Sequence, residues 1–386
     1  EMSRASMYLH IETHIAQSPK RPRSPCGDVT IVERQENWTT LLLADGIGSG
    51  VKANLAATLA AHRLIGLQRR GFTLRDAFGR LVKTMNANRD PSLPYAAFAI
   101  ARILPNGLTT VLSYEMPAPI LLQNNYATVL RQRTFTHERA ILGEATCQLD
   151  AGEGLVLVSD GITQAGLGKG YAEGWTEEGA CRYLNQCLRS RVAITQIPQL
   201  LHDKAKSIWD GVGDDCSVAL AVLRKGIAVN ILTGPPADKS TDKQVVADFM
   251  ASEGLKIVCG GSTSAMLANV LGRHVDIQQD DKSLIAPPRC KIDGIDLVTE
   301  GAVTLNQAYN ILDADAATYS EVSSVTELCC LLQVADKVSI TMGSAKNPAG
   351  DDIAFRQQGI INRSRIVELL AGKLREMGKL VILKRR

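Results

Sequence analysis

The chain lacks any run approaching the ~18 uninterrupted apolar residues of a membrane helix, and its first 25 residues hold no apolar core of a secretory signal. A membrane span and export are therefore not expected, and a cytoplasmic location is. Its nine cysteines include no Cys-x-x-Cys pair and no Cys/His spacing of a zinc site, which excludes the common zinc modules. Several, such as Cys187, Cys259, Cys329 and Cys330, stand in apolar runs where a thiol serves as a small hydrophobe. That usage suits a reducing compartment and buried, inert thiols. A strong charge imbalance is also missing. The net charge of +3 points to neither nucleic acid nor a membrane surface as partner. No internal repeat and no low-complexity segment interrupts the chain.

What is present is a globular composition, 45% apolar and 22% charged, over 386 residues, enough for about two domains. Short β-branched or leucine-rich runs bounded by Gly, Pro, Asp or Asn fill the first half, with two early helices from Val51 and Thr73 and two later ones over Glu177–Arg189 and Ile197–Trp209. This pattern predicts antiparallel sheets with helices outside. Near residue 224 the pattern changes. From Ile227 strands and helices alternate, as in Ala228–Thr233, Asp242–Glu253 and Lys256–Cys259, which predicts a parallel sheet. The expected domains are 1–224 and a smaller α/β domain, 225–386.

Four acidic positions stand where strands begin or end: Asp28, Asp45, Asp160 and Asp214. A hairpin symmetric about Gln35-Glu36-Asn37-Trp38 sets Asp28 opposite Asp45, with ~5 Å between Cβ atoms. Two carboxylates so close repel each other unless a cation joins them. Asp160 ends the apolar run Leu155–Ser159, and Asp214 precedes the run Cys216–Val222, so all four can meet at one sheet edge. Oxygen ligands without His or Cys suit Mg²⁺ or Mn²⁺. Glycine after Asp45 and after Asp160 permits a sharp exit from the strand, and its carbonyl can itself ligate a metal.

The ordered set Gly27-Asp28, Ala44-Asp45-Gly46-Ile47-Gly48-Ser49-Gly50, Ser159-Asp160-Gly161 and Gly213-Asp214-Asp215-Cys216-Ser217-Val218 resembles the motifs of PP2C-type metal-dependent phosphatases. It is most similar to their compact bacterial branch, typified by the stage II sporulation phosphatase. The resemblance covers about Tyr8 to Leu223 and implies an αββα sandwich of two antiparallel sheets flanked by helices. It implies two or more Mn²⁺ or Mg²⁺ ions bound or bridged by Asp28 and Asp45, with the Gly46 carbonyl as a further ligand. Asp160 and Asp214 then complete one ion's sphere, and Asp215 takes an outer-sphere or third-metal role. The implied reaction is hydrolysis of phosphoserine or phosphothreonine in a phosphoprotein substrate, by a water held between two metals. Ile47 stands where larger relatives carry a histidine, so the leaving group's proton must come from elsewhere. A phosphate-binding arginine has only Arg34 and the segment Lys20-Arg21-Pro22-Arg23 as candidates. In related bacterial phosphatases the helices after the acidic loop switch the metal site and contribute to dimer contacts, so the resemblance admits a homodimer; the alternative is that these helices simply cover a sheet face.

In the second domain, Lys256-Ile-Val-Cys-Gly-Gly-Ser-Thr-Ser-Ala-Met-Leu267 reads as strand, glycine turn and helix. Backbone amides there, with hydroxyls of Ser262, Thr263 and Ser264 beside Gly260 and Gly261, predict a seat for a small anionic ligand. The alternative is a plain βα turn with a serine cap. No Gly-Lys-Ser/Thr follows, so this is not a P-loop. Two other functions compete with the phosphatase: a catalytically silent scaffold of the same fold, and a sensor acting through the C-terminal domain.

Overall fold

The computed structural model describes residues 8–87, 95–137, 140–211, 213–278, 289–319, 322–345 and 360–386. They form two compact units, Leu9–Lys225 and Gly226–Arg386, the latter including Tyr8.

The first unit runs β1 (Leu9–Ser18), β2 (Asp28–Arg34), β3 (Thr39–Gly46), α1 (Val51–Arg69), α2 (Leu74–Ala87), β4 (Ala96–Ile103) and β5 (Leu108–Tyr114). It continues through β6 (Ile120–Gln123), β7 (Tyr126–Val129), β8 (Arg133–His137), β9 (Ala140–Gln148) and β10 (Gly154–Val158). The helices α3 (Asp160–Thr163), α4 (Thr176–Arg189) and α5 (Ile197–Trp209) then lead into β11 (Cys216–Lys225). Two antiparallel sheets result, one ordered β1-β11-β10-β6-β7 and the other β2-β3-β4-β5-β9-β8. Their central strands are apolar without a break because both faces are buried. In β3, Leu41 and Leu43 face the other sheet, while Leu42 and Ala44 pack beneath α1 and α2. In β11, Ala219, Ala221 and Leu223 point inward, and Val218, Leu220 and Val222 point toward α4 and α5. The unit is the αββα sandwich. Leu9 lies directly opposite Lys225 in the β1–β11 pair, so the unit's first and last strands are neighbours.

Alanine explains how α1 lies on its sheet. Ala53, Ala57, Ala60 and Ala61 are buried and keep the helix close, whereas Val51, Leu55 and Leu59 are exposed on its outer side.

The second unit runs β12 (Ala228–Thr233), α6 (Asp242–Ala251), β13 (Leu255–Cys259), α7 (Gly261–Leu271), β14 (Asp276–Gln278), β15 (Arg289–Lys291) and β16 (Leu297–Thr299). It ends with α8 (Ala302–Ile311), α9 (Ser324–Val334), β17 (Lys337–Met342), α10 (Arg363–Glu376) and β18 (Leu380–Arg385). The sheet order is β14-β15-β16-β13-β12-β17-β18. Its five strands from β16 to β18 are parallel, as expected. The sequence did not signal β14 and β15, which pair antiparallel and extend one edge. With three residues each, they are too short to show a period.

All nine cysteines are free; Cys181, Cys216, Cys259 and Cys329 are buried and the other five are half-buried, so burial is less complete than expected. Among the described residues no helix is long and apolar enough to cross a membrane.

Candidate active site

The β2–β3 hairpin has the pairing that counting gives. Asp28 opposes Asp45, and Arg34 opposes Thr39 across the turn. Asp28 opens its strand, and its carbonyl accepts a 2.7 Å hydrogen bond from Gln17 Nε2. In the other sheet, β10 pairs with β11 so that Val158 faces Val218. Ser159 and Ser217 continue this pairing, with the Ser217 amide donating to Ser159 Oγ at 2.9 Å. Asp160 and Asp214-Asp215 therefore leave that sheet at the same end.

The ends of the two sheets meet. Gly27, just before Asp28, is so close to Asp215 that a Cβ on it would lie 2.7 Å from the Asp215 carboxylate. The Asp45 and Asp160 carboxyls come within hydrogen-bonding reach of each other. Asp28 is 2% exposed, and among the described residues neither of its carboxylate oxygens has a hydrogen-bond partner.

Burial and mutual repulsion set the electrostatics. Burial pushes Asp28 up to about 7, helped by the charges of Asp215 and Asp160. The Ser217 and Ser159 hydroxyls lie near enough to ease this without bonding directly to the carboxylate. Asp45 is raised further, first by burial and then by the charges of Asp28 and Asp160. Asp160 is raised by burial and by Asp214, and lowered by its bond with Asp45. A proton shared between Asp45 and Asp160 thus offsets part of the negative charge. Lys20 offsets more. Its Nζ stands 3.3 Å from Asp214 Oδ1, and its backbone amide donates to Asp215 Oδ1 at 2.8 Å.

Lys20 belongs to the basic segment offered above as a phosphate-binding candidate, but it points to carboxylates. Arg34 sits at the turn end of β2, about 20 Å along the strand from Asp28, and donates instead to the Ile11 carbonyl. It is no part of the acidic site. Gln164, which the sequence did not suggest, donates to Asp160 Oδ2 at 3.1 Å from one turn along the chain.

The two Asp-Gly glycines have a reason different from the one expected. Neither has a left-handed backbone. Space is what they provide: a Cβ on Gly46 would lie 1.9 Å from the Ala53 carbonyl oxygen of α1, and one on Gly161 would lie 2.0 Å from the Asp215 carbonyl oxygen. The Gly161 carbonyl is already taken by Trp209 Nε1 at 2.8 Å.

As these side chains stand, no group of three or more His, Cys, Asp or Glu among the described residues is gathered closely enough to hold a metal ion. The chemistry of the donors nonetheless fits a hard divalent cation. They are carboxylate oxygens, and the buried, unpartnered pair on Asp28 is what a cation would satisfy. The expected anion seat, Gly260–Ser264, lies in the other unit, at the join of β13 and α7.

Residues 35–224 match the family model described as stage II sporulation protein E, SpoIIE. They form a SpoIIE-family domain with the PP2C fold. The domain is similar to the PP2C phosphatase domain of SpoIIE from Bacillus subtilis solved with a fragment of its regulatory domain: 15% identity, 57% of this chain and 64% of that one covered, TM-score 0.48. A second structure of the B. subtilis phosphatase domain is 14% identical, with coverage of 57% and 94% and a TM-score of 0.43. The RsbU and RsbW domains of a Mycobacterium tuberculosis protein are 13% identical, with coverage of 68% and 70% and a TM-score of 0.46. No curated protein matches the chain.

Proposed function

We propose that the SpoIIE-family domain is a divalent-metal-dependent phosphatase acting on phosphoserine or phosphothreonine of a protein substrate. The observation that carries this reading is Asp28: a carboxylate 2% exposed, unpartnered at both oxygens and directly opposite a second acid. A fold does not keep such a costly group for packing. Asp28, Asp45 and Asp160 are the residues that would hold Mn²⁺ or Mg²⁺, with Asp214 and Asp215 beside them. Such ions supply charge neutralisation at the phosphoryl oxygens and activation of water.

The chain's own groups then have definable tasks. Gln164 orients Asp160, and Lys20 holds Asp214 and Asp215 in place through its ammonium and its amide. Close packing at Gly46 and Gly161 fixes the strand exits that carry the acids. Raised carboxyl pKa values mean that protons must leave Asp28 and Asp45 before either can bind a cation.

The test is hydrolysis of a phosphoserine peptide by the full chain with added Mn²⁺ or Mg²⁺. Turnover with metal and its loss in EDTA are expected. Full activity in the chelator would reject the reading.

A further inference from the structure

The second unit holds a cavity of about 600 Å³ that the phosphatase reading does not use. Its floor is the end of the parallel sheet. Thr233, Cys259 and Thr299 are the last residues of β12, β13 and β16, stand in register across the three strands, and all line the cavity. Crevices at the carboxyl ends of parallel strands are where open α/β sheets bind ligands.

Two helices begin at this floor. Gly260 precedes α7 and Gly301 precedes α8, and neither helix has a side-chain cap. The two glycines touch, since a Cβ on Gly301 would lie 3.3 Å from Gly260 Cα. Two sets of uncapped amides therefore open side by side on one cavity. The hydroxyls expected to assist are otherwise engaged. Thr263 Oγ1 accepts from the Gly234 amide at 2.8 Å, and Ser264 Oγ donates to the Gly260 carbonyl at 2.9 Å. Ser262 is exposed. Thr233 takes their place: it is fully buried, it lines the cavity, and its Oγ1 has no partner among the described residues. Arg363 forms another part of the wall, anchored by Nη2 to the carbonyl oxygens of Gly343 and Ala345 at 3.1 and 2.6 Å.

Charge arithmetic selects the anion. Each helix start carries roughly +0.5 and the guanidinium adds a full charge against one from Glu300 on the same wall, so the total near +1 favours an anion. Amides from two helix starts suit the three terminal oxygens of a phosphate monoester better than the two of a carboxylate. Size and wall chemistry select what the phosphate is attached to. The volume falls within the ~300–1,000 Å³ of pockets that hold small organic ligands. Val275, Cys290 and Val298 give an apolar side, and Glu300, an acceptor on the wall, suits a hydroxyl group. Burial pushes the Cys259 thiol up to about 11, so it stays a neutral thiol on the cavity floor.

We propose that this cavity binds a small hydroxyl-bearing phosphate monoester, its phosphate between the starts of α7 and α8 beside Thr233. The test is calorimetric titration of the full chain with AMP, ribose 5-phosphate, ribose and inorganic phosphate. EDTA is present so that metal at the acidic site plays no part. At least one ester should bind tenfold or more tighter than either ribose or phosphate. Gly261→Val should abolish that binding without unfolding the unit, because a Cβ at Gly261 has nothing within 4 Å and its backbone is not left-handed. Thr233→Val, which keeps the shape and removes the hydroxyl, should weaken it severalfold. Absence of binding by both esters at millimolar concentration, or equal binding by wild type and Gly261→Val, overturns the proposal. Equal affinity for inorganic phosphate and the esters assigns the seat to the free ion and overturns the ester.

Discussion

Both units gather polar groups at strand ends, but with opposite means and opposite sign. In the sandwich, side chains do it: Asp28, Asp45 and Asp160 crowd together, and burial, joined by the charges of neighbouring carboxylates, raises the pKa of all three. In the parallel unit, backbone amides do it, where α7 and α8 start beside Gly260 and Gly301. On the readings proposed above, the first arrangement would take a cation and the second an anion. The contrast shows that a site built from side chains is costly without its partner, whereas one built from helix ends asks little of the fold. It also predicts how each unit responds to substitution.

The comparison breaks most visibly at the acids. Asp45→Asn and Asp160→Asn should each lower phosphatase kcat by roughly a thousandfold, while circular dichroism reports a folded protein. Ester binding by the second unit should stay unchanged in both. Near-normal turnover in either variant would remove the acids from catalysis.

Next comes the role of glycine. Gly46→Ala and Gly161→Ala force a methyl against a backbone carbonyl and should cost about 1–3 kcal/mol. Gly261→Ala meets open space and should change stability by less than about 0.5 kcal/mol. Urea denaturation of the three variants checks this, and equal costs would mean that space does not set the first two.

The most gradual effect concerns pH. An Asp whose folded pKa lies above its unfolded value of about 3.9 keeps a proton that the unfolded chain has lost. Its contribution is full below that value and declines as pH rises through the folded value, about 7 for Asp28. The EDTA-treated protein should therefore lose stability steadily between pH 5 and 7.5, at up to about 1.4 kcal/mol per pH unit for this one carboxyl, and Asp28→Asn should flatten the slope. A wild-type profile that rises over this range would contradict the buried-carboxyl account.

Legibility in the sequence followed the same division. The Asp28–Asp45 pairing could be counted because a single short turn sets its register. Lys20 at Asp214 could not, since the two are distant in sequence and only the closed sandwich brings them together. Strand β6 was legible as Ile120–Gln123, but its partner β7 was missed although Asn124-Asn125, both left-handed, is a sound turn signal; β7 has only four residues. In the second unit the glycine turn was visible but the donor was not. Which hydroxyl stays free at a strand end depends on hydrogen bonds made by Thr263 and Ser264 to distant or local backbone. Residue type does not reveal it.

The pairing of Leu9 with Lys225 has a consequence for how such a protein can be assembled. Paired residues in antiparallel strands stand about 5 Å apart, so the sandwich begins and ends at one point on its surface. A unit with that property is a cassette. It can be spliced into a host polypeptide with little disturbance on either side, or closed head to tail by a short loop and reopened elsewhere.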